Sequence, residues 1–239
     1  KTSTGCEGPK STITVTVNDL PSKPSATTAI EYCKGDVASA LSATASGSHT
    51  LVWYDTDGTT ELTSGAPTPS TVSVGSTDYY VAQKNNTTGC EGPQETITVT
   101  VNALPVAPNA TTTLDYCEGV TASALVATPL ANHTLVWYDT DGTTVLSSAP
   151  TPSTSSVVTT QYYVAQKKTS TGCEGPQVTI TVTVVATPSA PTVSDVSYCK
   201  GDVASALSAT ASGSNTLVWY DENQIEITAG APSPSTATV

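Results

Sequence analysis

The chain has 239 residues, room for one large domain or two to three small ones, and carries a formal net charge of −12 although only 12% of its residues are charged. That imbalance argues against a nucleic-acid partner, which needs clustered Lys and Arg to neutralise phosphates, and no apolar run approaches the ~18–20 residues of a membrane-spanning helix. Phe and Met are absent while Thr, Ser, Ala and Val dominate, a palette that favours strands and turns.

Taken in chain order, residues 1–20 contain "GCEGP" around Cys6 and then the alternating "TITVTV" at 12–17. A proline-containing linker, "NDLPSKPSA", follows. Residues 21–104 then read as one unit of period-two strands: "SALSATA" (39–45), "HTLVWYD" (49–55), "STDYYVAQ" (76–83) and "ETITVTVN" (95–102). Alternation in the last places Ile97, Val99 and Val101 on one face and the threonines on the other. No stretch keeps a helical period of 3.6.

The same order returns in 105–187 and starts again in 188–239. The "YC" cysteines, Cys33, Cys117 and Cys199, are spaced 84 and 82 apart, as are Trp53, Trp137 and Trp219. Those of "GCEGP", Cys6, Cys90 and Cys173, are spaced 84 and 83 apart. The expected organisation is therefore the closing part of a repeat (1–20), two whole repeats (21–104 and 105–187) and the opening part of a fourth (188–239), a window on a longer array. Near-identical copies such as "KGDVASALSATASGS" at 34–48 and 200–214 suggest that array length itself matters. Repeats of about 83 residues with six or seven short strands match an antiparallel β-sandwich of the immunoglobulin type, an all-β fold stacked end to end. Paired prolines in each linker hold the chain extended and predict a semi-rigid rod.

Six regularly placed cysteines in such a chain read as disulfides made in an oxidising compartment. Zinc is the rival, but there is no Cys-x-x-Cys pair and neither His has a Cys at ligand spacing. The favoured pairing lies within each repeat, Cys33–Cys90 and Cys117–Cys173, with Cys6 and Cys199 pairing outside this sequence. A Cys90–Cys117 bridge would have to span a final strand, a linker and a first strand, too far for disulfide geometry.

The chemistry-bearing residues are sparse. His49 and His133 are equivalent, but the next copy has Asn215, so both read as surface histidines. No nucleophile elbow, phosphate loop or metalloprotease motif is present, and no enzymatic activity is expected. Trp53, Trp137 and Trp219 read as sandwich core, while Tyr54, Tyr138 and Tyr220 are candidates for an exposed contact surface. "DTDG" begins as calcium loops do, which makes Asp55, Asp57, Asp139 and Asp141 candidates for a weak Ca²⁺ site. The bend is the stronger reading: Asp57-Gly58 follows one strand and precedes another, where Asp-Gly makes a type I′ hairpin turn.

The succession "YC-x-G … SALSATA … LVWY … APTPST … YYVAQ … GCEG … ITVTV … P-x-x-P" resembles the tandem immunoglobulin-like repeats of very large Bacteroidetes cell-surface proteins, SprB-type gliding-motility adhesins among them. The resemblance spans the whole chain. It implies export by type IX secretion, display on the outer membrane with its secretion and motility machinery as partners, and a filament that grips surfaces or polysaccharides. Three functions are then open. The chain is a structural stalk segment of such an adhesin, a multivalent array of glycan- or surface-binding repeats, or an accessory module of a large secreted polysaccharide-degrading enzyme.

Overall fold

A computed structural model describes residues 5–237. The fold is all-β, with two complete immunoglobulin-like sandwiches in tandem. The first contains β1 (Ser25–Ala26), β2 (Ala29–Cys33), β3 (Ala43–Thr44), β4 (His49–Tyr54), β5 (Gly75–Asn85) and β6 (Glu95–Asn102). Its main sheet has the order β2-β6-β5-β4, and β1 pairs with β3 as a two-stranded ribbon. The second sandwich repeats the plan with β7 (Asn109–Ala110), β8 (Thr113–Cys117), β9 (Ala127–Thr128), β10 (His133–Tyr138), β11 (Val145–Leu146), β12 (Thr159–Lys168) and β13 (Val178–Val185). Its main sheet runs β11-β10-β12-β13-β8, and β7 pairs with β9.

Period-two patterning does the sorting. Ile97, Val99 and Val101 on β6 are buried and the threonines between them are half-buried, so "TITVTV" turns its apolar face to the core as alternation requires. Trp53, Val81, Ile97, Val99 and Leu41 form one buried cluster, with Ala26, Ala43, Leu62 and Ala66 packed on it from the ribbon side. Trp137, Tyr162, Val164, Ile180, Val182 and Leu125 form its counterpart in the second repeat. Val52 and Ala82, on the other face of the main sheet, are buried too, so both faces of "LVWY" are apolar for a reason.

Two departures from the expected antiparallel sandwich matter later. "SALSATA" contributes only the two residues of β3, because its Leu41 leaves the ladder to plug the core. And β2 runs parallel to β6, Cys33 lying opposite Asn102, just as β8 runs parallel to β13 with Cys117 opposite Val185.

The flanking residues are built differently. No strand forms among residues 5–20. Residues 188–237 form β14 (Thr192–Val193) and β15 (Ala209–Thr210), which pair as β1 and β3 do. Their "LVWY" makes only an isolated bridge from Tyr220 to Glu226. Trp219, expected in a core, is only half-buried, because this stretch has no counterparts of β5 and β6 to cover it. No helix of the described residues is long and apolar enough to cross a membrane.

Candidate functional site

Each sandwich has two poles, and the sequence marks both. At the leading pole the linker enters and is clamped. Alternation along β5 places Gln83 on the same face as Tyr79 and Val81, which carries a polar side chain to a position with no exposure at all. A buried amide must be hydrogen-bonded. Gln83 Nε2 donates to Ser22 O at 2.7 Å and Oε1 accepts from Ser46 N at 2.8 Å. Gln166 repeats this with Val106 O at 2.7 Å and Leu130 N at 2.8 Å.

The "GCEGP" loop closes the clamp from the other side. Gly92 N donates to Gln83 O at 3.0 Å and Gly175 N to Gln166 O at 2.9 Å. A Cβ on Gly92 would lie 2.2 Å from Pro21 O, and one on Gly175 2.3 Å from Pro105 O. Only glycine lets the linker lie this close. Pro24 and Pro108 are buried against the same pole. Sequence reading missed this clamp. Its signal was the glutamine ending both "YYVAQ" copies on the apolar side of the alternation.

The trailing pole carries the first-strand cysteine. Cys33 ends β2; Lys34 N donates to Asn102 O at 2.9 Å and Cys33 N to Asp36 Oδ2 at 2.7 Å. Gly35 N reaches Thr71 O at 3.0 Å, closing the turn. Cys90 sits at the opposite end of the sandwich, its carbonyl accepting from Asn85 N in the loop between β5 and β6. Strand β6 separates the two poles by roughly 26 Å for eight residues.

The expected Cys33–Cys90 and Cys117–Cys173 bridges are therefore absent, and a different one is made. Cys33, trailing from the first repeat, bonds to Cys173, leading in the second, with a Cα–Cα distance of 5.5 Å. The expectation failed because it took the end of the first strand, where Cys33 sits, to lie beside the start of the last. Parallel pairing instead sends Cys33 to the far end. The two repeats are thus joined twice, by the clamped linker and by a bridge between residues 140 apart in sequence. On the chain-entropy model a loop of that length withdraws on the order of 5 kcal/mol from the unfolded state. Cys90, Cys117 and Cys199 are not bridged.

The "DTDG" segment is a bend of another type than expected. Gly58 N donates to Asp55 O at 2.9 Å and Asp55 N to Thr60 O at 2.8 Å, so the loop holds four residues rather than two. Gly58 has φ +67° while Asp57 does not enter that region, whereas a type I′ turn needs both residues there. Asp57 fixes the loop: Oδ1 accepts from Thr59 N and Thr60 N, both at 2.8 Å, and Oδ2 from Thr60 Oγ1 at 2.6 Å. The Thr60 hydroxyl, then the loop amides, hold its carboxyl well below the usual range, and Asp141 is held likewise by Thr144 and Thr143. Asp55 Oδ1 accepts from Thr56 N at 2.7 Å and Asp139 Oδ1 from Thr140 N at 2.8 Å. No group of three or more His, Cys, Asp or Glu side chains converges as a metal site among the described residues. In the third copy Gln224 takes the glycine's place at φ +62°.

Two of the three tyrosines expected on an open surface, Tyr54 and Tyr138, are covered instead. Tyr138 is buried and Tyr54 half-buried. Their hydroxyls donate to Glu174 and Glu91 of the "GCEGP" loops. Burial first, then the adjacent carboxylate, pushes each phenol up to about 12. Tyr220 alone is well exposed, at 58%. His49 and His133 are half-buried, and each ring bonds a carbonyl of the preceding turn, Ser46 and Ala131 respectively. Trp53 and Trp137 are core residues, as expected.

The family described as "Ig-like domain CHU_C associated" matches residues 21–103 and again 105–185. The chain belongs to that family. It holds two tandem copies, Ig-like repeats of the Bacteroidetes type. No curated protein matches it. Among solved structures, human mucin-like protocadherin EC1-2 is 11% identical over 66% of this chain and 96% of its own, with a TM-score of 0.25. The Bacteroides ovatus mixed-linkage glucan utilization locus SGBP-B, solved with a mixed-linkage heptasaccharide, is 16% identical over 68% of this chain and 45% of its own, at 0.24. Protocadherin gamma B2 cadherin domains 3–6 are 13% identical over 82% and 54%, at 0.26. The chain thus spans about half the length of the latter two. Likeness this low carries no ligand or activity across.

Proposed function

We propose that this chain is a non-enzymatic stalk segment of a long extracellular adhesin filament of the Bacteroidetes type. The observation that carries the reading is the doubly secured junction: a linker clamped under Gln166 and Gly175, and the Cys33–Cys173 bridge beside it. A joint tied at two points resists bending and twisting, which a spacer needs and an independent binding module does not. Disulfides of this kind persist outside the cytoplasm, and a surface with net charge −12 suits an exposed, soluble filament. On this reading the segment sets reach and stiffness for surface attachment or gliding, the filament leaves the cell by type IX secretion, and gripping is done by other parts of it.

The test is binding of the whole chain to a panel of polysaccharides, with calcium and again with chelator. A stalk binds none of them in either condition. Saturable binding shared by both repeats would replace the stalk with a multivalent glycan-binding array. Binding lost on chelation would also turn the paired aspartates of "DTDG" into a site.

A further inference from the structure

The Cys33–Cys173 bridge has a direction: the first-strand cysteine of one repeat takes the "GCEG" cysteine of the next. Both complete repeats carry both kinds. In the second repeat Cys117 ends β8 opposite Val185 at the trailing pole, while Cys173 lies in the loop before β13 at the leading pole. The pole around Cys117 is built like that around Cys33. Glu118 N donates to Val185 O as Lys34 N does to Asn102 O, and Gly119 N donates to Thr154 O as Gly35 N does to Thr71 O. Cys117 is exposed there and Cys90 partly exposed at the first repeat's leading pole. The junction for which this sequence supplies both halves is bridged, and these two cysteines are the corresponding halves on either side of it.

We propose that Cys117 and Cys90 are half-junctions of the same staple. Cys117 takes the "GCEG" cysteine of a further Ig-like repeat seated on the trailing pole, and Cys90 takes the first-strand cysteine of one seated on the leading pole. Each bond forms as two thiols give up two protons and two electrons to a disulfide-type oxidant, which leaves as a dithiol. This does not depend on the stalk reading, since the pairing rule follows from where the cysteines sit at the poles.

The consequence is a covalent cable of two interleaved strands. One path runs from a "GCEG" cysteine along the last strand, through the linker and the next first strand, as from Cys90 to Cys117, and crosses by a bridge to the repeat beyond. A second path, offset by one repeat, follows the same rule. Within any one repeat the two paths lie side by side as the parallel pair β2–β6 or β8–β13. Residues between the two cysteines of a repeat, such as 34–89 and 118–172, lie off the loaded paths. Tension therefore falls on two hydrogen-bonded parallel strands pulled the same way, while the rest of each sandwich is shielded. This also explains why the staple skips from repeat to repeat: a bridge within a repeat would leave each linker as the sole covalent connection.

The test completes the third repeat. Thr236 occupies the place of Thr71, since Gly201 N donates to Thr236 O as Gly35 N does to Thr71 O. Residues 75–104 can therefore be copied on after Val239, supplying the missing strands and one "GCEG" cysteine. A second extension, a copy of residues 158–187, guards against a failure of the first to fold. Both chains are refolded with oxidised and reduced glutathione, and non-reduced peptides are mapped by mass spectrometry. The expected result is Cys117 linked to the added cysteine, Cys33 linked to Cys173, and Cys90 still alkylatable because neither chain supplies its partner. Cys117 left alkylatable in both extended chains, or linked to Cys173 within its own repeat, would overturn the proposal.

Discussion

"TITVTV" occurs three times in this chain, at 12–17, 96–101 and 179–184, and the copies do not share a fate. In β6 and β13 it is a central strand whose Ile97 and Ile180 are 0% and 1% exposed. At 12–17 it pairs with nothing as a strand, and Ile13 is 87% exposed. Six identical residues with the highest alternation in the sequence are a strand only where β5 or β12 offers a ladder on one side and β2 or β8 on the other. Strand propensity here is a fit to a half-buried surface rather than a property of the hexapeptide.

Mutations at equivalent positions should separate the copies. Ile97→Ala should cost about 2–5 kcal/mol in denaturant unfolding, because it empties a fully buried site. Ile13→Ala should stay within about 0.5 kcal/mol of the parent, as exposed substitutions do. The glycines of "GCEGP" give a second pair. Gly92→Ala forces a methyl into Pro21 O and should cost roughly 1–3 kcal/mol, with the linker displaced. Gly8→Ala meets nothing within 4 Å and should be silent. Equal losses at both members of either pair would mean that 5–20 is packed as a repeat after all.

Smaller effects are read by pH. Tyr54 and Tyr138 hold their protons up to about 12 in the fold, against 10.0 for an ordinary phenol. Between those values the folded chain binds protons that the unfolded chain has released, so stability falls as pH rises from about 10 to 12. Ultraviolet titration of the phenolate absorption should show these two ionising late, and Tyr54→Phe should remove part of the alkaline loss. Asp57 and Asp141 work in the other direction. Their lowered carboxyls favour the fold above the usual carboxylate range, and that contribution disappears as pH falls through it. Asp57→Asn should flatten the acid limb slightly, measured as the unfolding midpoint against pH.

Much of this fold was legible from period two and repetition. Strand β6 falls on the residues that alternation marks, and Trp53 and Trp137 are core. What alternation cannot carry is direction. Nothing in "AIEYC" says that it lies parallel to "TITVTVN", yet that choice moves Cys33 from one pole to the other and reverses the disulfide pattern. Turn geometry was lost for a similar reason: Asp57-Gly58 fits both a two-residue and a four-residue loop, and the Thr60 hydroxyl that selects the latter is a contact across the bend. Tyr54 and Tyr138 were misplaced because their covering glutamates lie 37 and 36 residues downstream. Gln83 was readable in principle, as a polar residue in an apolar register, but its partner is a linker carbonyl 61 residues away.

Non-reducing peptide mapping of the 239-residue chain, alkylated before digestion, tests the stapled junction most directly. The predicted product is a single cross-linked peptide joining Cys33 to Cys173, with Cys90 and Cys117 both alkylated. Peptides joining Cys33 to Cys90 and Cys117 to Cys173 would contradict it, returning each bridge to its own repeat and leaving the linker alone to hold the junction.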